Sequence, residues 1–221
     1  MMDELQLKEL ASQLGCPHGD NGLPTAENMA ANNQFMISTA ISALDLHSND
    51  IVLEIGPGGG AHVAELFTRT NAIRYHAIDI SPLMVDLCKQ TNSDLVGEGR
   101  AEIHLSDGIR IDFPNDMFDK IFTVNTLYFW KEPEAYLREI ERVLKPGGMF
   151  VLCFAPKSFM ETLPFTQYGF KLYENAEVKG LLAGAGFTPA KIDTYEETVV
   201  AGTRSIQRSF SVIRSAKPPV Y

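Results

Sequence analysis

Residues 51–66, reading IVLEIGPGGGAHVAEL, constrain the fold of this 221-residue chain more than any other segment. The first five are mostly aliphatic or β-branched, which is typical of a strand buried in a parallel sheet. Four glycines crowd the turn that follows, and apolar residues then recur at helical spacing. Glycines there allow positive φ, and the new helix points free N–H groups at a ligand. The stretch therefore predicts an α/β sheet with a ligand site at this turn.

Two classes of ligand suit a glycine loop of this kind. Gly56, Gly58 and Ala61 satisfy the loose G-x-G-x-x-[GA] fingerprint of dinucleotide-binding proteins. Glu54 lies near the carboxyl end of the strand, where ligands of open α/β sheets bind. A carboxylate there repels a pyrophosphate and attracts a ligand that carries an ammonium group. Glu54 thus favours a ligand that carries an ammonium group over a dinucleotide.

The glycine loop resembles the first motif of the class I S-adenosylmethionine-dependent methyltransferases, in particular the small-molecule, type 11 group. That motif is an acidic residue followed by G-x-G-x-G, represented here by Glu54, Gly56, Gly58 and Gly60. Asp79, Asp107 and the L-K-P-G-G turn at 144–148 follow in the family's order. The resemblance spans about residues 49–214. It implies S-adenosylmethionine as cofactor and a Rossmann-like, doubly wound seven-stranded sheet, mostly parallel with the last strand antiparallel.

The remaining pattern divides the chain into a helical extension, residues 1–44, and a methyltransferase domain, residues 45–221. The extension is predicted as a helix over 3–14, a loop over 16–24, and a second helix with Thr25 as N-cap. It is expected to cover the site as a lid. Strands are predicted at 74–80, 101–105, 118–124, 149–155, 190–200 and 205–214, and helices begin at Pro82, Pro133 and Asn175.

Asp79 ends the second predicted strand, 19 residues after Gly60. An acidic side chain at about this distance meets a ribose diol in nucleotide-binding βαβ units. The resemblance assigns the same role to Asp79 and places Ile80 against the adenine. The alternative is a strand-end aspartate that caps the next helix, although Ser81 already fits as N-cap with Pro82 at the first helical position.

The resemblance implies a cofactor site at the carboxyl ends of the first four strands. Its predicted members are Glu54, Gly56, Pro57, Gly58, Gly60, Asp79, Ile80, Met84, Ser106, Asp107, Gly108, Asn125 and Thr126. Asp107 fits the family's acceptor for the adenine amino group, but an Asp-Gly turn explains that residue equally well. Asn125 and Thr126 follow the fourth strand, which places them near the methyl group to be transferred.

Catalytic candidates are few. Methyl transfer from a sulfonium is a direct displacement, so alignment of the reactants does most of the work, and a base is needed only if the acceptor must lose a proton. Tyr128, Tyr168 and His18 could orient or deprotonate an acceptor, and each is also explained as a packing or surface residue. No metal is predicted, because the histidines show no ligand spacing, and His62 and His104 are interpreted as ordinary helix and strand positions.

Two absent motifs reduce the range of possible methyl acceptors. Asn125 is followed by Thr126 and Leu127 rather than by the P-P-[YF] of methyltransferases acting on exocyclic amines, and no Pro-Cys marks a cytosine-C5 enzyme. A small-molecule acceptor is predicted. The aromatic-rich connection over 156–173 either lines its pocket, which we favour, or plugs the sheet edge. The asparagines of the second helix, Asn28, Asn32 and Asn33, either face a ligand or cover a solvated surface.

Composition argues against several kinds of partner and cellular location. A formal net charge of −9 and a pI of about 5.0 argue against a nucleic-acid partner, which requires a basic patch. Three scattered cysteines indicate a reducing compartment, and neither a signal peptide nor an apolar run long enough for a membrane is found. The sequence predicts a cytoplasmic monomer or homodimer without membrane contact.

Two rival functions stay open at this point. A nicotinamide-dependent oxidoreductase would share the glycine loop, but the sequence lacks a Y-x-x-x-K pair and has little room for a second catalytic domain. A non-catalytic S-adenosylmethionine-binding protein is the other, because binding motifs and catalytic competence are separable.

Overall fold

The computed structural model describes residues 2–70, 72–201 and 204–219. Seven strands form one sheet: β1 Ile51–Ile55, β2 Arg74–Asp79, β3 Ala101–Leu105, β4 Phe118–Val124, β5 Leu144–Phe154, β6 Lys191–Ala201 and β7 Arg204–Ala216. Their order is β3-β2-β1-β4-β5-β7-β6. The first five strands pair in parallel, and β7 runs antiparallel to both β5 and β6. The predicted fold class is confirmed.

Helices cover both faces of the sheet. They are α1 Glu4–Gly15, α2 Gly19–Ala43, α3 Val63–Arg69, α4 Pro82–Thr91, α5 Ser93–Gly97, α6 Pro133–Val143, α7 Lys157–Met160 and α8 Asn175–Gly184, with 3-10 turns at Leu127–Phe129 and Pro164–Gln167. One apolar core lies under α6 and α8, and a second lies under α2, α3 and α4. Among the described residues, no helix combines the length and the hydropathy needed to cross a bilayer.

The start of α2 differs from the sequence prediction. Residues 16–24 were expected to be a loop with Thr25 as N-cap, but the helix begins at Gly19 and contains Pro24. Gly22 is buried in this helix. A Cβ at this position would collide with the side chain of Leu83 on α4, so the close contact requires glycine. The glycine thus serves close packing between helices, and tertiary contact overrides a local helix-breaking signal.

Two other boundaries shift for similar reasons. Glu174, not Asn175, caps α8, through a reciprocal capping box with Glu177. Strand β5 begins at Leu144 rather than at Met149, because Leu144 already pairs with Phe118 of β4. Strands β3 and β4 have the predicted bounds, and Ser81 caps α4 with Pro82 at its first position as expected.

The order of the strands reverses between β1 and β4. In open α/β sheets such a reversal leaves a crevice beyond the carboxyl ends of the two strands, and ligands bind there. The C-terminal half of α2 is anchored in the core by Met36, Ala40 and Ile41, which are almost fully buried. Its N-terminal half extends over the crevice together with α1. The fold therefore places a helical cover over this edge of the sheet.

Candidate functional site

A pocket of about 180 Å³ lies over the carboxyl ends of β1, β2 and β4. We call it the glycine-loop pocket. Of the residues predicted to bind the cofactor, all except Asp107 line it: Glu54, Gly56, Pro57, Gly58, Gly60, Asp79, Ile80, Met84, Ser106, Gly108, Asn125 and Thr126. The fold thus brings together residues that are up to 72 positions apart in sequence, Glu54 to Thr126.

The loop glycines meet different requirements. Gly56, Gly58 and Gly60 all have positive φ, at 75°, 55° and 69°. A Cβ on Gly56 would lie 2.5 Å from Cγ2 of Thr126, and one on Gly60 would collide with Sγ of Cys88. A Cβ on Gly58 would meet no described atom within 4 Å. Gly56 and Gly60 are therefore required by packing, whereas Gly58 faces the open space of the pocket.

Asp79 holds the glycine loop against the start of α4. Its Oδ2 accepts from the backbone N–H of Gly58 at 3.2 Å, and its Oδ1 accepts from that of Ser81 at 2.9 Å. The side chain is 8% exposed, and burial raises the pKa of Asp79 although the two N–H donors oppose that shift. Each carboxylate oxygen keeps acceptor capacity for a further hydroxyl donor.

Glu54 lies at the bottom of the pocket and has partners within the protein. Its two oxygens are each 2.9 Å from Nε2 of His62, and the Tyr75 hydroxyl donates to Oε2 at 2.5 Å. Burial acts to lower the pKa of His62, but the Glu54 carboxylate outweighs burial and the net shift is upward. Glu54 and His62 thus form a hydrogen-bonded pair beside the glycine loop, which is an ion pair when His62 is protonated.

His62 is a site residue that the sequence interpretation missed. It was taken as an ordinary helix position, yet it is the N-cap residue of α3 and lines the pocket. Within the described part of the chain, the lining contains no lysine or arginine. His62 is therefore the side chain there that can carry a positive charge. The sequence did contain a signal for this role: His62 follows the last loop glycine by two residues, and that part of the turn faces the ligand.

A larger cavity of about 760 Å³ adjoins the glycine-loop pocket, and we call it the amide cavity. Asn33, Asn125 and Phe129 line both. One wall is apolar and comes mainly from the connection after β5: Phe159, Met160, Leu163, Phe165, Phe170, Val199 and Ile206. The lining also includes the amides of Asn28, Asn32, Asn33 and Asn125. The aromatic-rich connection thus lines a cavity, the alternative that we favoured.

Arg208 of β7 forms hydrogen bonds that connect several polar groups at the amide cavity. It is 8% exposed, and its Nη2 donates to Oε1 of Glu197 at 2.7 Å. Its Nη1 donates to Oδ1 of Asn33 at 3.0 Å, and the same oxygen accepts from Nδ2 of Asn125 at 3.2 Å. The network fixes Asn33 and Asn125 where the two cavities meet. Asn28, by contrast, is exposed and accepts a hydrogen bond from Asn32, so the three asparagines of α2 do not share one role.

Of the three predicted catalytic residues, Tyr128 is the one that lines a cavity in the part of the chain that the structure describes. Tyr128 is buried, and its hydroxyl donates to the Ala155 carbonyl at 2.9 Å and accepts from the Ala155 N–H at 2.7 Å. Burial raises the pKa of Tyr128, so the phenol stays protonated and braces the end of β5. In the described structure, Tyr168 and His18 line neither cavity. Their catalytic role stays a prediction without support from geometry.

Asp107 has a local role in the turn after β3. Its Oδ1 accepts from the backbone N–H groups of Ile109 at 2.8 Å and Arg110 at 2.9 Å. These N–H donors, that of Arg110 first, lower the pKa of Asp107. The geometry matches the turn-forming alternative, while its neighbours Ser106 and Gly108 line the pocket.

Comparison with known proteins gives consistent matches. Residues 53–152 match a family model described as a methyltransferase domain. The uncharacterized methyltransferase YdaC of Bacillus subtilis is 29% identical over 131 residues, which is 58% of this chain and 69% of that protein. The malonyl-[acyl-carrier protein] O-methyltransferase of Porphyromonas gingivalis is 24% identical over 201 residues, which is 89% of this chain and 74% of that protein.

Among solved structures, the fold resembles a chain in the complex between the Haloferax volcanii Trm112 methyltransferase activator and a methyltransferase. The TM-score is 0.75 at 20% sequence identity, over 89% of this chain and 94% of that chain. Identity at this level concerns the fold alone.

Proposed function

We propose that this chain, which matches a methyltransferase-domain model over residues 53–152, is a class I S-adenosylmethionine-dependent methyltransferase that methylates an amphipathic small molecule held in the amide cavity. One observation carries the proposal: a pocket lined by the cofactor motifs adjoins a larger cavity lined by both apolar side chains and amides, and the two share Asn33 and Asn125. A displacement reaction needs its two reactants side by side in this way.

The residues of the glycine-loop pocket fit S-adenosylmethionine, which when bound supplies a methyl group on a sulfonium. Asp79 offers two oxygens with spare acceptor capacity to the ribose hydroxyls. Gly58 leaves open space above the loop for the ligand. Ile80 is 42% exposed although it is a large apolar residue, which suits contact with an adenine face.

We propose that Glu54 and His62 together recognise the amino-acid end of the cofactor. That group is a zwitterion, and the pair offers one charge of each sign within 2.9 Å. Glu54 binds the ammonium group, and His62 turns from Glu54 to the carboxylate. Without the ligand, the charges of Glu54 and protonated His62 neutralise each other. When the cofactor binds, its ammonium and carboxylate groups take over as their partners.

Replacing His62 by phenylalanine is expected to weaken S-adenosylhomocysteine binding by about tenfold or more, the value of one charged hydrogen bond. Binding of 5′-methylthioadenosine, which lacks the amino-acid end, is expected to be unchanged. Because imidazolium is the binding form, the affinity of the unmodified protein for S-adenosylhomocysteine falls as the pH rises through the raised pKa of His62. Calorimetric titration of both ligands measures these effects.

The control for this variant is His47→Phe, which changes an exposed histidine that does not line the pocket. Equal loss of both ligands in His62→Phe would show that the substitution damages the whole pocket, and undiminished binding of both would remove His62 from the cofactor site.

The lining of the amide cavity indicates the chemistry of the acceptor. Its apolar wall suits an aliphatic or aromatic body, and its amide donors suit a polar head group at the junction of the cavities. The ionisable side chains that line this cavity in the described structure all have hydrogen-bond partners: Glu9 accepts from Gln13, Tyr128 donates to Ala155, and Arg208 donates to Glu197. We therefore propose an acceptor whose attacking atom needs no proton removed, such as a carboxylate oxygen. The relative from Porphyromonas gingivalis, an O-methyltransferase by name, is consistent with oxygen as the acceptor atom.

Release of S-adenosylhomocysteine tests this proposal with dodecanoate, dodecanol and acetate. Turnover is expected with dodecanoate, which has both the head group and the apolar body. Dodecanol retains a proton on its oxygen and acetate lacks the body, so neither is expected to react. Turnover would also exclude the non-catalytic alternative.

Replacing Leu163 by tryptophan should fill part of the amide cavity, which Leu163 lines. The KM for dodecanoate is expected to rise by about tenfold, equivalent to roughly 1.4 kcal/mol of lost contact, while the affinity for S-adenosylhomocysteine stays the same. Leu5→Trp is the control, because Leu5 is 77% exposed on α1. A tryptophan at 163 that leaves KM unchanged would place the acceptor elsewhere.

We propose that residues 1–44 act as a lid, as the sequence predicted. Leu14 of α1 and Met29 of α2 line both cavities, so α1 and the N-terminal half of α2 are the parts of this segment that would cover the two ligands. The monomeric or dimeric state, the cytoplasmic location and the absence of a nucleic-acid partner stay predictions from the sequence.

A further inference from the structure

Three side chains with metal-binding atoms meet on the β2–β3 edge of the sheet, outside both cavities: His76, Glu102 and His104. In the parallel register His76 pairs with Glu102, and His104 lies two residues further along β3. Residues two apart on a strand share a face, so all three project from the same side of the sheet. Oε2 of Glu102 is 3.7 Å from Nδ1 of His76 and 3.4 Å from Nε2 of His104.

His76 gives independent evidence that something is bound there. The residue is 6% exposed, yet its Nδ1 has no hydrogen-bond partner among the described residues. Edge contacts with Phe113 and Phe118, at centroid distances of 5.5 and 5.6 Å, hold the ring in place. A buried ring nitrogen without a hydrogen-bond partner is unusual, and an imidazole nitrogen is a common metal ligand.

We propose that His76, Glu102 and His104 bind a divalent transition-metal ion, with Zn²⁺ the best fit and a water molecule in the fourth position. Bonds of about 2.0–2.1 Å in a tetrahedral site place neighbouring ligand atoms roughly 3.4 Å apart. Both distances from Glu102 are close to that value. All ligand atoms already lie within 4.8 Å of one another, and the partly exposed His104 side chain has room to approach His76.

The ligand set discriminates between kinds of metal. Two imidazoles with one carboxylate suit zinc and its neighbours, whereas Ca²⁺ and Mg²⁺ need several oxygen ligands. The sequence prediction of no metal rested on spacing along the chain, and the pairing of β2 with β3 unites residues that this spacing separates.

Metal binding at this place would fasten the edge strand β3 to β2. His104 precedes by two residues Ser106, which lines the glycine-loop pocket. The ion would thus stiffen the segment that carries one wall of the cofactor site. This inference does not depend on the identity of the acceptor or on catalysis.

The test is titration of the full-length, EDTA-treated protein with ZnCl2 by calorimetry and with CoCl2 by visible absorption. We expect saturable binding with one ion per chain, tetrahedral cobalt bands, and a higher melting temperature. His104→Ala and Glu102→Gln, both at exposed side chains, should each weaken zinc binding by at least about tenfold. His47→Ala, the control at an exposed histidine, should not change it. Absence of binding at 100-fold molar excess of zinc, or equal affinity in the control and the two ligand variants, would overturn the proposal.

Discussion

Replacing Gly58 with leucine is expected to abolish binding of S-adenosylhomocysteine by a protein that still folds. Gly58 has φ of 55°, and a side chain there would project into the open pocket rather than into described protein atoms. The residue should therefore occupy the space that the ligand needs, and we expect an affinity loss of at least about 1,000-fold, or roughly 4 kcal/mol. Calorimetry measures the loss, and a thermal melt shows whether the fold survives.

Gly99→Leu is a matched control for the backbone strain of this variant. Gly99 also has positive φ, at 67°, also has no described atom within 4 Å of a built Cβ, and lies in the turn before β3, away from the pocket lining. Both variants bear the same cost of a left-handed side chain, about 1–2 kcal/mol. Only the variant at Gly58 should lose the ligand. Retained binding in Gly58→Leu would mean that the loop does not contact the cofactor.

Replacing Asp79 with alanine is expected to weaken S-adenosylhomocysteine binding by about 100-fold, because two hydroxyl groups lose a charged acceptor worth roughly 3 kcal/mol in total. The same substitution frees the N–H groups of Gly58 and Ser81, so part of the loss comes from a looser loop. Asp79→Asn keeps an acceptor oxygen, so its affinity for S-adenosylhomocysteine should lie between those of the unmodified protein and Asp79→Ala. Calorimetric titration of both variants orders them.

The pH dependence of binding gives a second measure of Asp79. Its carboxylate is the form that accepts from a diol, and burial raises its pKa above the usual range of aspartate. Affinity should therefore decrease as the pH falls through that raised pKa, earlier than for an exposed aspartate. Asp86→Ala, at an exposed position of α4, is the control and should bind normally. An unchanged dissociation constant in Asp79→Ala would contradict the assignment of the ribose site.

Where the determinants are local, the sequence predicts structure well. The bounds of β3 and β4 and the Ser81 cap with Pro82 follow from short runs of residues, as does the strand, glycine loop and helix around Gly58. The parallel sheet then brings the carboxyl ends of these strands to one edge, which is why most of the predicted cofactor residues line one pocket.

Features that depend on packing between distant segments could not be predicted. Gly22 was interpreted as part of a loop because its contact with Leu83 is invisible in sequence. The hydrogen bond between Arg208 and Asn33 joins residues 175 positions apart, so the asparagines of α2 could not be assigned a role. His62 was overlooked because its meaning comes from the buried carboxylate of Glu54 beneath it.

The most direct test of the central claim is parallel calorimetric titration of the purified protein with S-adenosylmethionine, S-adenosylhomocysteine, NADH and NADPH. The pocket built by Glu54, His62, Gly58 and Asp79 should bind the two sulfur compounds and neither nicotinamide cofactor. Binding of NADH or NADPH, with no heat from the sulfur compounds, would contradict the assignment of this pocket.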